Sequence, residues 1–470
     1  MSRRTLQSPW LYFSAAGLLL LVGLASQVRI HWPSRPEGGV AELDALRQRH
    51  DLNVVFLLVD TLRADRLSAY GYARPTSPSL DLLAREGVRF AHVSSQSSWT
   101  KSSMASILTS TTPATNGVLR WNQALPESVT LPAEIFRQAG YRTAGLYRNE
   151  WVNRAFGFAQ GFEVYHTPFY AEPPQNFRQN TPEPQKLAGS DADLTRSAAE
   201  FVESFRDQRF FLYLHYMDVH QYAYDSAAPV FGTSSSDLYD SAINWVDRNI
   251  GRLVEALDQN GLLKRTVVVI AADHGEGFGE HGVEGHGTTL FREVLDVPLI
   301  LVLPFRWKGG LVVQTPVQNL DIFPTVLDLL GLPPLPGAQG RSLVPLMEAA
   351  GRGQPAPPEL AARPSFAELD RTWGNAKKDP NPIASIGLGR WKLIQSVLDP
   401  AEAALFDHGA DPGEQKNVAA AEGASLGRLR QVLEQQLAAP REAGAPPESV
   451  EVDPSSLEQL RALGYVLQPH

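Results

Sequence analysis

Cysteine is absent from this 470-residue chain. Disulfides and thiolate metal ligands are therefore excluded, while the compartment stays open, because an exported protein can do without disulfides. No basic cluster stands out. Lys and Arg total 42 against 51 Asp and Glu, a net charge of −9, which argues against nucleic acid as the main partner. No internal repeat is visible, and no second run long and apolar enough for a membrane span follows Val28. The remaining composition, 43% hydrophobic and 20% charged, is ordinary for a globular protein. The length allows a large core and two domains or more.

The most telling feature at the N-terminus is a run of 24 residues without a charge, Thr5 to Val28, preceded by Arg3 and Arg4. Its length suits one membrane span, and the basic flank favours an N-terminus on the inside. The alternative is a cleaved signal segment, with Gly23-Leu24-Ala25 supplying small residues at the cleavage point. Either way the rest of the chain is expected outside the cytoplasm, on the periplasmic or extracellular side of the inner membrane.

Residues 29–50 hold Pro33, Pro36, Gly38 and Gly39 and read as a polar linker. The catalytic domain is expected over 51–348. Residues 349–364, rich in Ala, Pro and Gly, read as a second linker. Residues 365–470 read as a small α+β subdomain. Within 51–348, apolar strands at Asn53–Val59, Val88–Val93, Arg142–Tyr147, Arg209–Tyr216, Thr266–Ala272 and Val297–Leu303 alternate with helices, the longest at Leu238–Asn260. The alternation predicts a doubly wound, mostly parallel α/β sheet.

Two of these strands run straight into acidic residues, Asp60-Thr61 and Asp273-His274-Gly275. Continuous β-branched runs are buried on both sheet faces, and ligands bind just beyond the carboxyl ends of such strands. Asp60, Asp273 and His274 meeting there would make a hard-ligand metal site. His215, His220, His281 and His286 also lie near strand ends or in the glycine-rich loop after Asp273. Between Ser94 and Thr112, 12 of 19 residues are Ser or Thr. Such a stretch is usually a polar loop and a helix cap, and Ser98, Thr100 and Ser102 are rival nucleophiles by composition. Ser102–Leu108 can form a helix, which would set Thr100 at its positive N-terminus, where an anionic ester and a deprotonated hydroxyl are favoured.

Many motifs resemble those of the sulfatase family, within the alkaline-phosphatase-like superfamily. They include Val59-Asp-Thr-Leu-Arg-Ala-Asp65 with Tyr70-Gly71-Tyr72, Leu108-Thr109-Ser110, Gly140-Tyr-Arg-Thr143, and Phe156-Gly157-Phe158 with Gly161-Phe162. Leu214-His-Tyr-Met-Asp-Val-His220, Asp273-His-Gly-Glu276, Asp321-Ile-Phe-Pro-Thr325 and Gly340-Arg-Ser-Leu343 continue the match. Arg390-Trp-Lys-Leu393, Leu405-Phe-Asp407, Asp411-Pro-Gly-Glu414 and Leu460-Arg-Ala-Leu-Gly-Tyr465 extend it to the tail. The resemblance covers roughly 52–466. It implies an alkaline-phosphatase-like fold and one divalent metal ion (Mn, Zn, Ca or Mg) on Asp60, Asp273 and His274. It places Thr100 at the nucleophile position, and His220 and His286 near positions that bind the anionic group or assist the leaving group.

One departure shapes the expected chemistry. Most sulfatases carry a Cys or Ser that becomes formylglycine, with Pro two positions on and Arg four on. Here the stretch is Thr100-Lys-Ser-Ser-Met104, so formylglycine is not expected. The site resembles family members with an unmodified Thr, many of which act on phosphoesters or transfer phospho-groups. The expectation is a metal-dependent hydrolase of phosphoric or sulfuric esters working through a Thr100 ester. Phosphorus esters are favoured because their charge suits a metal, Lys101 and a helix N-terminus. Lys101, His220 and His286 would neutralise developing charge or protonate the leaving group. The alternatives are a phospho-group transferase acting on envelope lipid or glycan, and a non-catalytic binding relative that keeps the fold.

Overall fold

The computed structural model describes residues 35–168, 177–179, 189–225, 228–375, 378–438, 447–451 and 460. The expected N-terminal span at 1–28 lies outside them. Among the described residues, no helix is long and apolar enough to cross a membrane.

The apolar runs become an eight-stranded sheet. In chain order its strands are β1 (Asn53–Val59), β2 (Val88–Phe90), β3 (Arg142–Tyr147), β4 (Val164–His166), β5 (Phe210–Tyr216), β6 (Thr266–Ala271), β7 (Leu299–Val302) and β8 (Leu311–Val313). The order across the sheet is β8-β2-β7-β6-β1-β5-β3-β4. All neighbours pair in parallel except at β7, which runs against both β6 and β2. Every residue of β1, β5 and β6 is buried, as two helix-covered faces require.

The helices used below are α1 (Val40–Ala45), α2 (Pro78–Glu86), α3 (Thr100–Thr109), α4 (Pro132–Gln138), α5 (Asp191–Ser204), α6 (Ser235–Gln259), α7 (Ile322–Leu329), α8 (Val344–Gly351) and α9 (Gly423–Leu437). On one sheet face Phe136 of α4 stacks on Phe211 at 4.4 Å, and Phe323 of α7 packs edge-on against Phe56 at 5.2 Å. On the other face Phe201 of α5 meets Phe210, and Thr195 of α5 bonds the Tyr216 hydroxyl. Long α6 docks on α2 through Asp247, which accepts from the backbone of Ser79 and Leu80.

Both expected linkers carry structure where they are described. Within 29–50, α1 and the following turn bury Leu43 and Leu46. Within 349–364, the end of α8 and a turn at Pro358–Ala361 bury Ala349 and Leu360. Ala- and Pro-rich composition marks chain direction changes here, yet single apolar residues in each turn anchor the path to the core.

The C-terminal part is an antiparallel sheet of β9 (Ser365–Asp370), β10 (Pro382–Leu388), β11 (Trp391–Ser396) and β12 (Ala403–Asp407). Helix α9 covers it through a small apolar core holding Ile386, Leu393, Leu405, Leu429 and Leu433. Strand β9 is tied to the large domain by Glu368 N–H donating to the Gln96 carbonyl and Phe366 N–H donating to Gln318.

Candidate metal centre and nucleophile

Strand alternation assembles the site. Residues two apart share a face, and the register pairs Leu58 with both Ala271 and His215, and His215 with Tyr147. One step of two further along, Asp60, Asp273 and Asn149 leave the carboxyl ends of β1, β6 and β3 on the face that already holds His215. Four adjacent strands therefore deliver four polar side chains to one spot beyond the sheet.

All four side chains are buried. Asp60 Oδ2 accepts from His215 Nε2 at 2.9 Å and from Asn149 Nδ2 at 2.6 Å. Asp273 Oδ1 accepts from the backbone N–H of Thr61 at 3.2 Å and of His274 at 2.9 Å. The other oxygen of each carboxylate, Asp60 Oδ1 and Asp273 Oδ2, is buried with no hydrogen-bond partner. Leaving such atoms bare is costly. His274 Nδ1 lies 3.0 Å from the Gly275 carbonyl, which can only accept. The proton is thereby assigned to Nδ1, and the Nε2 lone pair faces the site. That Nε2 is 3.4 Å from Asp273 Oδ2 and 3.9 Å from Asp60 Oδ1. One donor atom from each of Asp60, Asp273 and His274 lies within 4.8 Å of the others. Two bare carboxylate oxygens and one imidazole lone pair fit a divalent cation.

The electrostatics agree. Burial pushes Asp273 up, and the charge of Asp60 adds to it. Burial also opposes ionisation of Asp60, but the His215 hydrogen bond and the neighbouring His220, His215 and His274 hold it well below the usual carboxylate range. Two carboxylates this close repel unless a cation lies between them.

Thr100 is the first residue of α3. Its Oγ1 is 3.2 Å from His274 Nε2 and accepts from Asn149 Nδ2 at 3.3 Å. Asn149 is oriented by Trp151 N–H donating to its Oδ1 at 2.9 Å. The helix is fixed to the metal strand by Ser103, whose hydroxyl donates to the Asp273 carbonyl at 2.7 Å; Ser95 bonds the same carbonyl. Of the three hydroxyl rivals, Ser98 donates to the Thr289 carbonyl, and Ser102 Oγ is buried without a partner.

His220 and His286 border the same centre. The His286 ring lies 4.5 Å from that of His274 and 5.0 Å from that of His220. His286 Nδ1 faces Glu276 at 3.2 Å, and the Glu276 charge raises its pKa although burial works against it. Burial pushes His220 down to about 4, and its Nε2 has no partner. His281 is elsewhere: it bonds Glu293 and the Glu414 carbonyl and stacks on Phe291.

Lys101 is corrected by the structure. Its ammonium donates to the Trp121 carbonyl at 2.7 Å and sits 3.5 Å over the Phe156 ring. On a helix, the residue after Thr100 points about 100° away, and burial pushes its amine well below the ordinary lysine value. Sequence reasoning missed Asn149 and noted His215 near a strand end without giving it a role. The signal was available in the period-two continuation of β3 and β5 past Tyr147 and Tyr213.

A doubly wound sheet with a candidate divalent-cation ligand group and a hydroxyl at its strand ends is the arrangement of an alkaline-phosphatase-like hydrolase. The model of the Sulfatase family matches residues 52–332, so the chain belongs to the sulfatase family and is an ester hydrolase by family. The model for the C-terminal part of N-sulphoglucosamine sulphohydrolase matches 279–443. Choline-sulfatase of Rhizobium meliloti is 33% identical over 184 residues, 38% of this chain and 32% of that protein. The chain thus spans about a third of that relative. Ulvan-active sulfatase of Formosa agariphila is 24% identical, over 78% of this chain and 76% of that protein. The crystal structure of phosphonate monoester hydrolase of Agrobacterium radiobacter aligns with a TM-score of 0.66 at 21% identity, covering 85% of this chain and all of that one (100%).

Proposed function

We propose that the chain is a metal-dependent hydrolase that uses Thr100, unmodified, as its nucleophile and prefers phosphorus esters to sulfate esters. The observation that carries this is the placement of Thr100 Oγ1 at a helix N-terminus, 3.2 Å from the unprotonated Nε2 of His274 and near two unpartnered carboxylate oxygens. Asp60, Asp273 and His274 would hold one Mn²⁺, Zn²⁺, Ca²⁺ or Mg²⁺ ion, which supplies Lewis-acid stabilisation of phosphoryl oxygens and of the attacking oxygen. Asn149 orients Thr100 Oγ1 and keeps Asp60 in place. As the Oγ1–P bond forms, the hydroxyl proton is released to solvent and the P–O bond to the alcohol breaks. His286, whose protonated form the Glu276 charge favours, returns one proton to the departing alkoxide, and neutral His220 borders the same group. Water then attacks the phospho-Thr and regenerates the hydroxyl.

A threonine ester has no second hydroxyl through which to eliminate sulfate, so a sulfo-Thr needs direct attack by water. That difference supports the preference for phosphorus. The uncharged run after Arg3 and Arg4 supports export, with the catalytic part beyond the inner membrane and envelope lipid or glycan esters within reach. Matched nitrophenyl phosphodiester, phosphonate, phosphate and sulfate esters test the chemistry. A preference for sulfate abolished in Thr100→Ala would overturn the phosphorus assignment and keep the nucleophile. Product analysis with added acceptor alcohols separates hydrolysis from transfer. A C-terminal reporter active only in the cytoplasm tests export, with silence expected.

A further inference from the structure

His286 stands between two glycines in the left-handed region, Gly285 at φ +84° and Gly287 at φ +74°. Glycine has no side chain to restrict its rotation, so the loop by itself leaves the imidazole many orientations. Before His286 the main chain is fixed by pairing of Gly285 with Gly277, and after it by the Ser98 hydroxyl donating to the Thr289 carbonyl. Between these points the C-terminal sheet intervenes. The Trp373 indole N–H, which can only donate, bonds the Gly287 carbonyl at 2.7 Å. The ring also lies against Gly287 itself: a Cβ there would sit 2.8 Å from Trp373 Cζ2, too close for any side chain.

Trp373 is itself held in a costly conformation. Its φ of +50° is an outlier for a bulky residue, and such strain persists only where the surroundings over-determine it. Asp370, the last residue of β9, supplies that constraint. Its Oδ1 accepts from the Thr372 N–H at 3.0 Å, the Thr372 hydroxyl at 2.8 Å and the Asn381 N–H at 3.2 Å, and its carbonyl accepts from the Trp373 N–H at 2.8 Å. The Trp373 carbonyl accepts from the Trp121 N–H at 2.9 Å. Trp99, the residue before Thr100, stacks on the indole at 6.4 Å and 18°. One strained residue thus joins the neighbour of the nucleophile to the neighbour of His286.

Resting on the reading of His286 as the proton donor given above, we propose that Trp373 is a positioning residue for that proton transfer. It acts through Gly287. By pinning that peptide and filling the space beside it, the indole keeps the His286 ring against Glu276, with Nδ1 3.2 Å from Oε2, and 4.5 Å from the His274 ring. Orientation matters because a proton is delivered only across a hydrogen-bond length. The need grows with the basicity of the leaving oxygen. A nitrophenolate departs largely without a proton, whereas a phenolate, whose conjugate acid has a pKa of about 10 like that of tyrosine, draws on one. The C-terminal sheet therefore contributes to the leaving-group step through the turn that follows β9.

The test uses the full-length, metal-loaded protein and three variants: Trp373→Phe, which keeps a ring and loses the N–H donor, His286→Gln, and the two combined. kcat and KM are measured for the nitrophenyl and phenyl esters of whichever anionic group the wild type turns over fastest. Trp373→Phe is expected to lower kcat for the phenyl ester about tenfold. It should leave KM and the nitrophenyl rate within about twofold of wild type, and add nothing to His286→Gln in the double variant. Hydrogen exchange over residues 285–290 gives a readout without turnover. It should quicken about tenfold in Trp373→Phe while β1, β5 and β6 keep their protection. A wild-type phenyl-ester rate in Trp373→Phe, with His286→Gln impaired, would overturn the positioning role and keep His286 as donor. Equal losses with both esters would also overturn it, because a scaffold residue does not distinguish leaving groups. Absence of leaving-group dependence in His286→Gln would overturn the reading of His286 instead. Exchange then decides the tie to Gly287, which falls if residues 285–290 exchange as in wild type.

Discussion

Two regions of the molecule bury carboxylates, and they treat them in opposite ways. Between the large domain and the C-terminal sheet, Glu414 is satisfied on every side. Its Oε1 accepts from Lys392 at 2.8 Å and His408 at 2.7 Å, and its Oε2 accepts from Arg292 N–H at 2.9 Å. Burial opposes its ionisation, but Lys392 and His408 hold it down at about 2. At the strand ends, Asp60 and Asp273 each leave one buried oxygen bare, and Asp273 is pushed up rather than down. A carboxylate whose partners are all protein groups is part of the scaffold. A pair with aligned, partnerless oxygens is arranged for something that arrives from outside.

The sharpest way to break this contrast is at the nucleophile. Thr100→Ala is expected to lower kcat/KM by about a thousandfold or more, with the circular dichroism spectrum unchanged. A mild loss would mean that the bare oxygens serve another centre. Next comes Glu414→Gln. A Glu with a depressed native pKa stabilises above its unfolded value of about 4.3 and loses that contribution as pH falls toward its native value. The variant is therefore expected to be about 3 kcal/mol less stable at neutral pH, and denaturation curves for the two proteins should converge between about pH 4.3 and 2. A constant difference across that window would show that Glu414 acts through packing alone. Asn149→Ala removes the donor to Thr100 and Asp60; kcat is expected to fall about ten- to hundredfold with KM nearly unchanged. Equal loss of kcat and of fold stability would mark Asn149 as structural only.

The smaller effects carry the sign of the comparison. In the presence of a chelator, Asp273→Asn is expected to raise stability by about 1 kcal/mol. The amide keeps Oδ1 as acceptor and ends repulsion with Asp60. A lower melting temperature would contradict the account of the strand-end pair. Lys101→Met is expected to cost about 1 kcal/mol or less and to leave kcat within about twofold of wild type. A hundredfold fall would return Lys101 to the reaction.

The fold was largely legible because β-branched runs such as Val54–Val59 and Thr266–Ala271 bury both faces and admit few other conformations. Asp60, Asp273 and His274 were legible because each abuts such a run. Lys101 was misread because adjacency in sequence was taken for adjacency in space, whereas helix geometry turns it toward Phe156. Asn149 was missed, and His215 was noted near a strand end but given no role, because strand register is what aligns a neutral amide and a strand histidine with Asp60. The reversed direction of β7 depends on pairing with β2, more than 200 residues away, which no local pattern encodes. The turns within 349–364 were hidden by composition, since Ala and Pro suit helix starts as well as linkers.

The central claim is that Asp60, Asp273 and His274 bind one divalent ion together. It is tested most directly by metal analysis after dialysis against Mn²⁺ or Zn²⁺, comparing wild type with Asp273→Ala and Asp60→Ala. The account predicts about one ion per chain in wild type and almost none in either variant while both remain folded. Full occupancy in the Asp273→Ala protein would contradict it.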